Sequence, residues 1–169
     1  MNDRLVLCLG NEILSDDGLG FVVAQQLQLD PARLNAEVES ASLAGFSLLD
    51  LLRGRREVLV VDAIQTGSAC PGTIHEFPSD CLAPTLNLVG SHQINLPTAI
   101  ELGRMCGMAM PDRIDVIAVE ASDVQTLHEG LTPAVTKAVP EVVALIRQWA
   151  ARPPSPNPAA SKSSVATHP

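Results

Sequence analysis

Residues 5–20 have the sequence LVLCLGNEILSDDGLG, in which an apolar run is followed by a polar loop and the start of a helix. The continuous apolar run Leu5–Leu9 is typical of a strand that is buried on both faces of a sheet. Ser15 is placed to cap a helix that begins at Asp16 or Asp17 and continues as an apolar stripe. A strand, a loop and a helix in this order are the opening unit of an α/β fold.

Later apolar segments continue the alternation of strands and helices. Further strands are predicted at Val38–Ala41, Val58–Val61, Thr73–Phe77 and Ile114–Val119. Further helices are predicted from Gly45, from Asn95 or Pro97, and from Thr132-Pro133. The last helix carries an apolar stripe with helical spacing, made of Val135, Val139, Val142, Ile146 and Trp149. The sequence therefore predicts an α/β fold with five strands.

Length and composition predict one domain followed by a tail. A chain of 169 residues has the size of a single domain. We assign residues 1–150 to that domain and expect residues 151–169 to be disordered, because their composition changes abruptly to Pro, Ser and Ala.

The formal net charge of −8 argues against two classes of binding partner. Nucleic acids and anionic membranes both require a basic face, so we expect no binding to either. An acidic surface suits a basic peptide or a cation, or simply keeps the protein soluble. The four cysteines form no C-x-x-C pair and no signal peptide precedes them, which favours free thiols in the cytoplasm.

Three potential metal ligands each follow an apolar run or lie in a tight loop: Asp17, Asp62 and His92. The carboxyl ends of neighbouring parallel strands share one crevice, so ligands placed after separate strands can converge there. Two carboxylates and an imidazole are a plausible donor set for a metal ion. Each residue also has an ordinary explanation. An acid at a helix N-terminus is favourable, an aspartate after a strand can cap a turn, and a loop histidine is often not a ligand.

Motifs of the commoner enzyme classes are absent from the sequence. It contains no G-x-S-x-G, H-E-x-x-H or G-x-x-x-x-G-K segment, and no G-x-G-x-x-G follows the first strand. We therefore do not expect a serine hydrolase, a zincin, an NTPase or a dinucleotide enzyme. Gly18 and Gly20 are unfavourable in the first turn of a helix, which suggests that another backbone approaches closely there.

Four short segments, in this order, resemble the hydrogenase maturation proteases, endopeptidases that trim the C-terminus of the large subunit of nickel-iron hydrogenases. The segments are Gly10-Asn11 through Asp16-Asp17-Gly18-Leu19-Gly20, Val61-Asp62-Ala63, Ser91-His92-Gln93 and Gly130-Leu131-Thr132-Pro133. The resemblance covers most of the chain from Leu5 to about Trp149. It departs from the family at Ser40-Ala41-Ser42-Leu43, where members usually have an Asp-Gly-Gly-Thr/Ser type segment.

This resemblance implies a three-layer α/β/α sandwich around a twisted, largely parallel five-stranded sheet. It further implies that Asp17, Asp62 and His92 bind nickel and act in catalysis through that metal. The nickel would be supplied by the partner, the hydrogenase large-subunit precursor, rather than held permanently. Such a metal could polarise the scissile carbonyl or activate water, or could serve only as a recognition mark.

Two alternatives remain open at this point. A relative that binds the precursor without cutting it is compatible with the altered segment at Ser40–Leu43. A phosphoacceptor module with a flavodoxin-like sheet would use acids after two strands to hold Mg²⁺. That module would also need a cation near the phosphoryl group, and Lys137 and Lys162 are the only lysines.

Overall fold

The computed structural model describes residues 2–29, 34–42, 47–77 and 96–155, and these residues form a five-stranded sheet between helices. The strands are β1 (Arg4–Leu9), β2 (Glu37–Ala41), β3 (Glu57–Ile64), β4 (Ile74–Phe77) and β5 (Arg113–Glu120). Their order across the sheet is β2-β1-β3-β5-β4. All neighbours are parallel except β4, which pairs with β5 in the antiparallel direction. The predicted edge position of the Thr73–Phe77 strand is therefore confirmed.

In the described residues, four helices cover the two faces of this sheet. They are α1 (Leu19–Gln28), α2 (Ser47–Leu52), α3 (Leu96–Met105) and α4 (Pro133–Ala151). One apolar layer joins α1 and α4 to one face of the central strands, and a second joins α2 and α3 to the other face. This arrangement confirms the three-layer α/β/α sandwich.

The apolar patterns of the sequence predicted the buried surfaces well. Strands β1 and β3 are buried along their whole length, as continuous apolar runs between two helical layers require. The predicted stripe on α4 is buried from Val135 to Trp149. None of the helices in the described part of the chain combines the length and apolarity needed to cross a membrane.

The turn after β1 differs from its prediction. Ser15–Gly18 forms a separate 3₁₀ turn, and α1 begins only at Leu19. Ser15 does not cap a helix with its side chain and instead has a positive φ of 39°. The predicted cap was therefore wrong, because the chain needs a tight turn here before α1 can start.

The chain after α4 lies against the amino ends of β1 and β3. Arg4 donates to the carbonyl of Arg152, and the backbone N–H of Ser155 donates to Glu57 at 2.6 Å. Residues 156–169, which make up most of the tail predicted to be disordered, lie outside the described residues. The assignment of a single domain at residues 1–150 stays a prediction.

Candidate metal-recognition site

The turn that carries Asp17 is held against the end of β1 by close backbone packing. The backbone N–H of Asn11 donates to the carbonyl of Asp17 at 2.9 Å. A Cβ on Gly10 would lie 1.9 Å from that same carbonyl oxygen, and a Cβ on Gly20 would lie 2.1 Å from the carbonyl oxygen of Leu9. Only glycine fits at either position. The close approach inferred from Gly20 is confirmed, and it fixes Asp17 at the carboxyl edge of the sheet.

Asp62 lies inside β3 and not at its exit. The strand continues to Ile64, and Asp62 is fully buried. Its Oδ1 accepts a bond from the N–H of Ala63 at 2.8 Å, whereas its buried Oδ2 has no hydrogen-bond partner among the described residues. Burial, and then the nearby negative charge of Asp17, raise the pKa of Asp62 well above its usual value.

Asp17 is a second buried carboxylate with an unsatisfied oxygen. Its exposed fraction is 7%, and within the described residues no donor reaches its buried Oδ1. Burial raises the pKa of this side chain from 3.8 to about 6. The turn Ser15–Gly18 packs against β3, and the charge of Asp17 raises the pKa of Asp62, so the two acids lie near one another.

Asp16, the neighbour of Asp17 in the chain, has the opposite environment. Its side chain accepts bonds from the backbone N–H groups of Ser122, Asp123 and Thr132 and from the Thr132 hydroxyl. Its own N–H donates to the carbonyl of Asp123 at 2.9 Å. Asp16 therefore joins the turn after β1 to the loop before α4, and its oxygens are already occupied.

No feature of the sequence indicated that Asp16 joins these two segments. Its hydrogen-bond partners are 106 to 116 residues away in the chain, and no local pattern connects them. The only hint was that both segments, Asp16-Asp17 and Gly130–Pro133, carried the family resemblance. The hydrogen bonds between these two segments help to position Asp17.

His92, the third predicted ligand, lies outside the described residues, within the gap at 78–95. In the part of the chain that the structure describes, no group of three His, Cys, Asp or Glu side chains could hold a metal ion. Asp17 and Asp62 therefore lie near each other, and a shared metal site made by these acids with His92 stays a prediction.

Other potential functional side chains are used elsewhere. His75 faces Glu120 at 3.3 Å, and Glu120 also accepts bonds from Thr66 and Gly67. Although burial acts to raise the pKa of Glu120, these bonds outweigh it and lower the pKa. Burial raises the pKa of Cys8 to about 12, so this thiol is not a nucleophile at neutral pH.

The two acids fit a divalent cation by their chemistry. A buried carboxylate oxygen without a hydrogen bond costs several kcal/mol unless a cation or a donor reaches it. Asp17 and Asp62 each offer one such oxygen at the same edge of the sheet. Oxygen donors joined by an imidazole would suit a borderline transition-metal ion and leave positions for donors from another molecule.

A cavity of about 330 Å³ opens beside the turn that carries Asp17. Its lining includes Glu12 and Gly18 from the first turn, Ser40 from β2 and Leu131 from the loop before α4. Ser40 belongs to the segment Ser40–Leu43, in which the chain departs from the family pattern; Leu43 lies outside the described residues. The departure therefore affects a wall of this cavity and not the two acids.

Comparison with known proteins places this arrangement in context. A family model described as hydrogenase maturation protease matches residues 23–149. The hydrogenase 2 maturation protease of Escherichia coli K12 is 28% identical over 151 residues, which cover 85% of this chain and 90% of that protein.

Solved structures agree in fold with these sequence matches. The hydrogenase maturating endopeptidase HybD from E. coli has a TM-score of 0.68 and 26% identity, with 86% of this chain and 93% of that chain covered. A nickel-iron hydrogenase maturation protease HybD from Thermococcus kodakarensis also has a TM-score of 0.68, at 22% identity, over 87% of this chain and 98% of that chain. The second likeness supports the fold alone.

Proposed function

Because the chain belongs to the hydrogenase maturation protease family, we propose that Asp17, Asp62 and His92 recognise nickel carried by a hydrogenase large-subunit precursor. The chain is a hydrogenase maturation endopeptidase, and proteins of this family act on large-subunit precursors. Membership of this family also rules out the phosphoacceptor alternative. Nickel recognition would let the endopeptidase sense that its substrate is ready to be cut.

One observation carries this proposal. Asp17 and Asp62 are both buried at the carboxyl edge of the sheet, and each has a carboxylate oxygen that no described residue satisfies. A divalent ion brought by the precursor would neutralise both acids and remove the cost of burying them. His92 would add a nitrogen donor and leave coordination positions for ligands of the precursor.

The raised pKa values favour an ion that arrives with the substrate. Without a cation, burial favours the protonated form of Asp62, and Asp17 titrates near pH 6. Binding nickel at neutral pH must therefore displace any proton held at Asp62, which lowers the affinity for free nickel. A site of modest affinity stays available for the ion of the precursor, and the ion can then act as a Lewis acid at the bond to be cut.

A processing assay tests the proposal directly. The purified full chain is incubated with nickel-loaded and with nickel-free precursor, and release of the C-terminal extension is followed by mass spectrometry. We expect cleavage of the loaded form only, and loss of cleavage in Asp17→Ala, Asp62→Ala and His92→Ala. His168→Ala is the matched control, since the sequence places it in the tail, and it should cleave normally.

Three results would contradict the proposal. Equal cleavage of both precursor forms would remove nickel recognition, and normal cleavage by His92→Ala would remove that residue as a ligand. Binding of the loaded precursor without cleavage would indicate the non-cutting relative. As a second readout, tight stoichiometric nickel in protein purified without precursor would contradict an ion supplied by the substrate.

A cytoplasmic location is part of the same proposal. Cys8, Cys70 and Cys106 are free thiols in the described part of the chain, as expected in a reducing compartment.

A further inference from the structure

Large apolar side chains that are exposed to solvent lie in two places on the described part of the molecule. They are Ile13, Leu29, Met105 and Leu127, with exposed fractions of 50%, 82%, 79% and 76%. Leu29 follows α1 and Met105 ends α3, and both helices run from the carboxyl edge of the sheet to its amino edge. Ile13 and Leu127 lie instead at the carboxyl edge, with Asp17.

Ile13 and Leu127 are neighbours because a short bridge joins their segments. Leu14 and His128 form a parallel bridge, in which the N–H of His128 donates to the carbonyl of Ile13 at 3.1 Å. The N–H of Ser15 donates in turn to the carbonyl of His128 at 2.9 Å. This register sets the backbones of Ile13 and Leu127 about 5 Å apart, the spacing of paired strands. Two exposed apolar side chains thus form one patch, whereas isolated ones are common on any surface.

The patch is part of the same rigid unit as the metal-recognition acid. The N–H of Asp17 donates to the carbonyl of Leu14 at 2.9 Å, and Asp16 fastens the turn to the loop that carries Leu127. A protein that presents an ion to Asp17 would also cover the neighbouring turn and loop, where Ile13 and Leu127 lie. A free ion or a small molecule would not need to touch them.

We propose that Ile13 and Leu127 form the docking surface that receives the body of the hydrogenase precursor while its metal site faces Asp17 and Asp62. This inference rests on the proposed function and adds the surface by which the substrate is held. Glu12 and Glu129 are exposed beside the two apolar residues. The matching surface on the precursor is therefore apolar with basic side chains around it.

The cavity described above borders this surface. Glu12 and Ser15 from the first turn and Gly130 and Leu131 from the second loop contribute to its lining. Docking at Ile13 and Leu127 would bring an extended segment of the precursor over this cavity. Apolar contacts at Ile13 and Leu127 would supply affinity, and the open cavity beside them would position the bound segment.

A pair of double variants tests the proposal with a matched control. Ile13→Ser/Leu127→Ser removes the patch, and Leu29→Ser/Met105→Ser removes a comparable exposed apolar surface from the opposite edge. The patch variant should raise the KM for loaded precursor about tenfold and change kcat by less than about twofold, since losing two apolar contacts weakens docking by a factor of this order. The control variant should keep both constants within about twofold of wild type.

The remaining measurements separate the possible outcomes. Thermal unfolding of both variants should match wild type, and Kd for the precursor is measured directly so that docking is read even if cleavage does not depend on nickel. A Kd that is unchanged in the patch variant, or raised equally in the control variant, overturns the proposal. Sedimentation that shows a dimer in wild type and a monomer in the patch variant, with Kd unchanged, would assign the patch to a second copy of the chain.

Discussion

At the amino edge of the sheet, Arg4 and Glu57 are buried and joined at 3.0 Å, whereas at the carboxyl edge two acids, Asp17 and Asp62, are buried near each other. Arg4 also donates to the carbonyls of Trp149 and Ala150 near the end of α4 and to the carbonyl of Arg152 just after it. The pKa of Glu57 is lowered, because bonds from Ser155 and the charge of Arg4 outweigh the effect of burial.

The amino edge of the sheet stabilises the fold, whereas the carboxyl edge carries the acids proposed to act in function. Paired charges at the amino edge hold β1, β3 and the end of α4 together. The acids at the carboxyl edge lower the stability of the ligand-free protein, since each keeps an oxygen that no described group satisfies. Groups of this kind persist where a ligand uses them. Substitutions at the amino edge should therefore lower the free energy of unfolding and leave processing unchanged. Substitutions of the acids at the carboxyl edge should abolish processing without lowering the free energy of unfolding.

The largest effect is expected for Asp62→Asn. The amide keeps the bond from Ala63 but cannot bind an ion as a carboxylate does, so processing of loaded precursor should fall at least about 100-fold. Because the pKa of Asp62 is raised on folding, its ionised form opposes folding at pH 7. The variant should therefore be at least as stable as wild type in urea unfolding at that pH.

Glu57→Gln is the matched variant for Asp62→Asn at the other edge. It weakens the ion pair with Arg4, so it should lower the free energy of unfolding while processing stays within about twofold of wild type. If Asp62→Asn lost stability and Glu57→Gln lost processing, the division between the edges would be wrong.

Arg4→Met should give the largest loss of stability at the amino edge. It leaves Glu57 buried without its ion-pair partner and removes the donors to the last carbonyls of α4, which together should cost about 3–5 kcal/mol of unfolding free energy. The cation also lies 4.2 Å from the ring of Trp149, and that contact is lost as well. Urea unfolding measures the cost.

The control for Arg4→Met is the double variant Arg4→Met/Glu57→Leu. An apolar pair in place of a buried ion pair can be nearly neutral, so the second change should restore part of the lost stability. Processing per folded molecule should match wild type in both variants. A loss of kcat that unfolding does not explain would mean that the amino edge also acts in catalysis.

Much of this architecture follows from local sequence patterns. Continuous apolar runs predicted β1 and β3 as buried strands, and the spacing from Val135 to Trp149 predicted the buried face of α4. The edge position of β4 and the close packing of Gly20 against Leu9 also agree with what the sequence indicated. These features are set by burial and by backbone sterics, which neighbouring residues in the chain largely control.

The parts of the site that the sequence did not reveal depend on contacts between distant segments. Asp62 was expected at the exit of its strand, because a carboxylate in a buried strand is costly, and the structure places it inside β3 nonetheless. Asp16 and Asp17 are adjacent and identical in sequence, yet only the loop at 122–132 makes one structural and leaves the other unsatisfied. A single sequence does not contain this distinction.

The smallest expected effect is a pH dependence of stability that separates the two edges again. The pKa of Asp17 rises from 3.8 to about 6 on folding, so the folded protein binds more protons than the unfolded chain across that interval. Stability should therefore fall as the pH rises from 4.5 to 6.5, by at most about 2 kcal/mol, because part of the total effect of the shift lies below pH 4.5. Glu57 acts in the opposite direction, but its lowered pKa places that change below its usual value of 4.5.

Urea unfolding at several pH values between 4.5 and 6.5 measures this slope for wild type and for Asp17→Asn. The variant cannot titrate at this position, so its slope should be smaller, and the part that remains belongs to Asp62, whose pKa is raised in the same direction. A wild-type stability that rises with pH in this window would show that the carboxyl edge does not bury unpaired acids. An unchanged slope in Asp17→Asn would assign the effect to Asp62 alone.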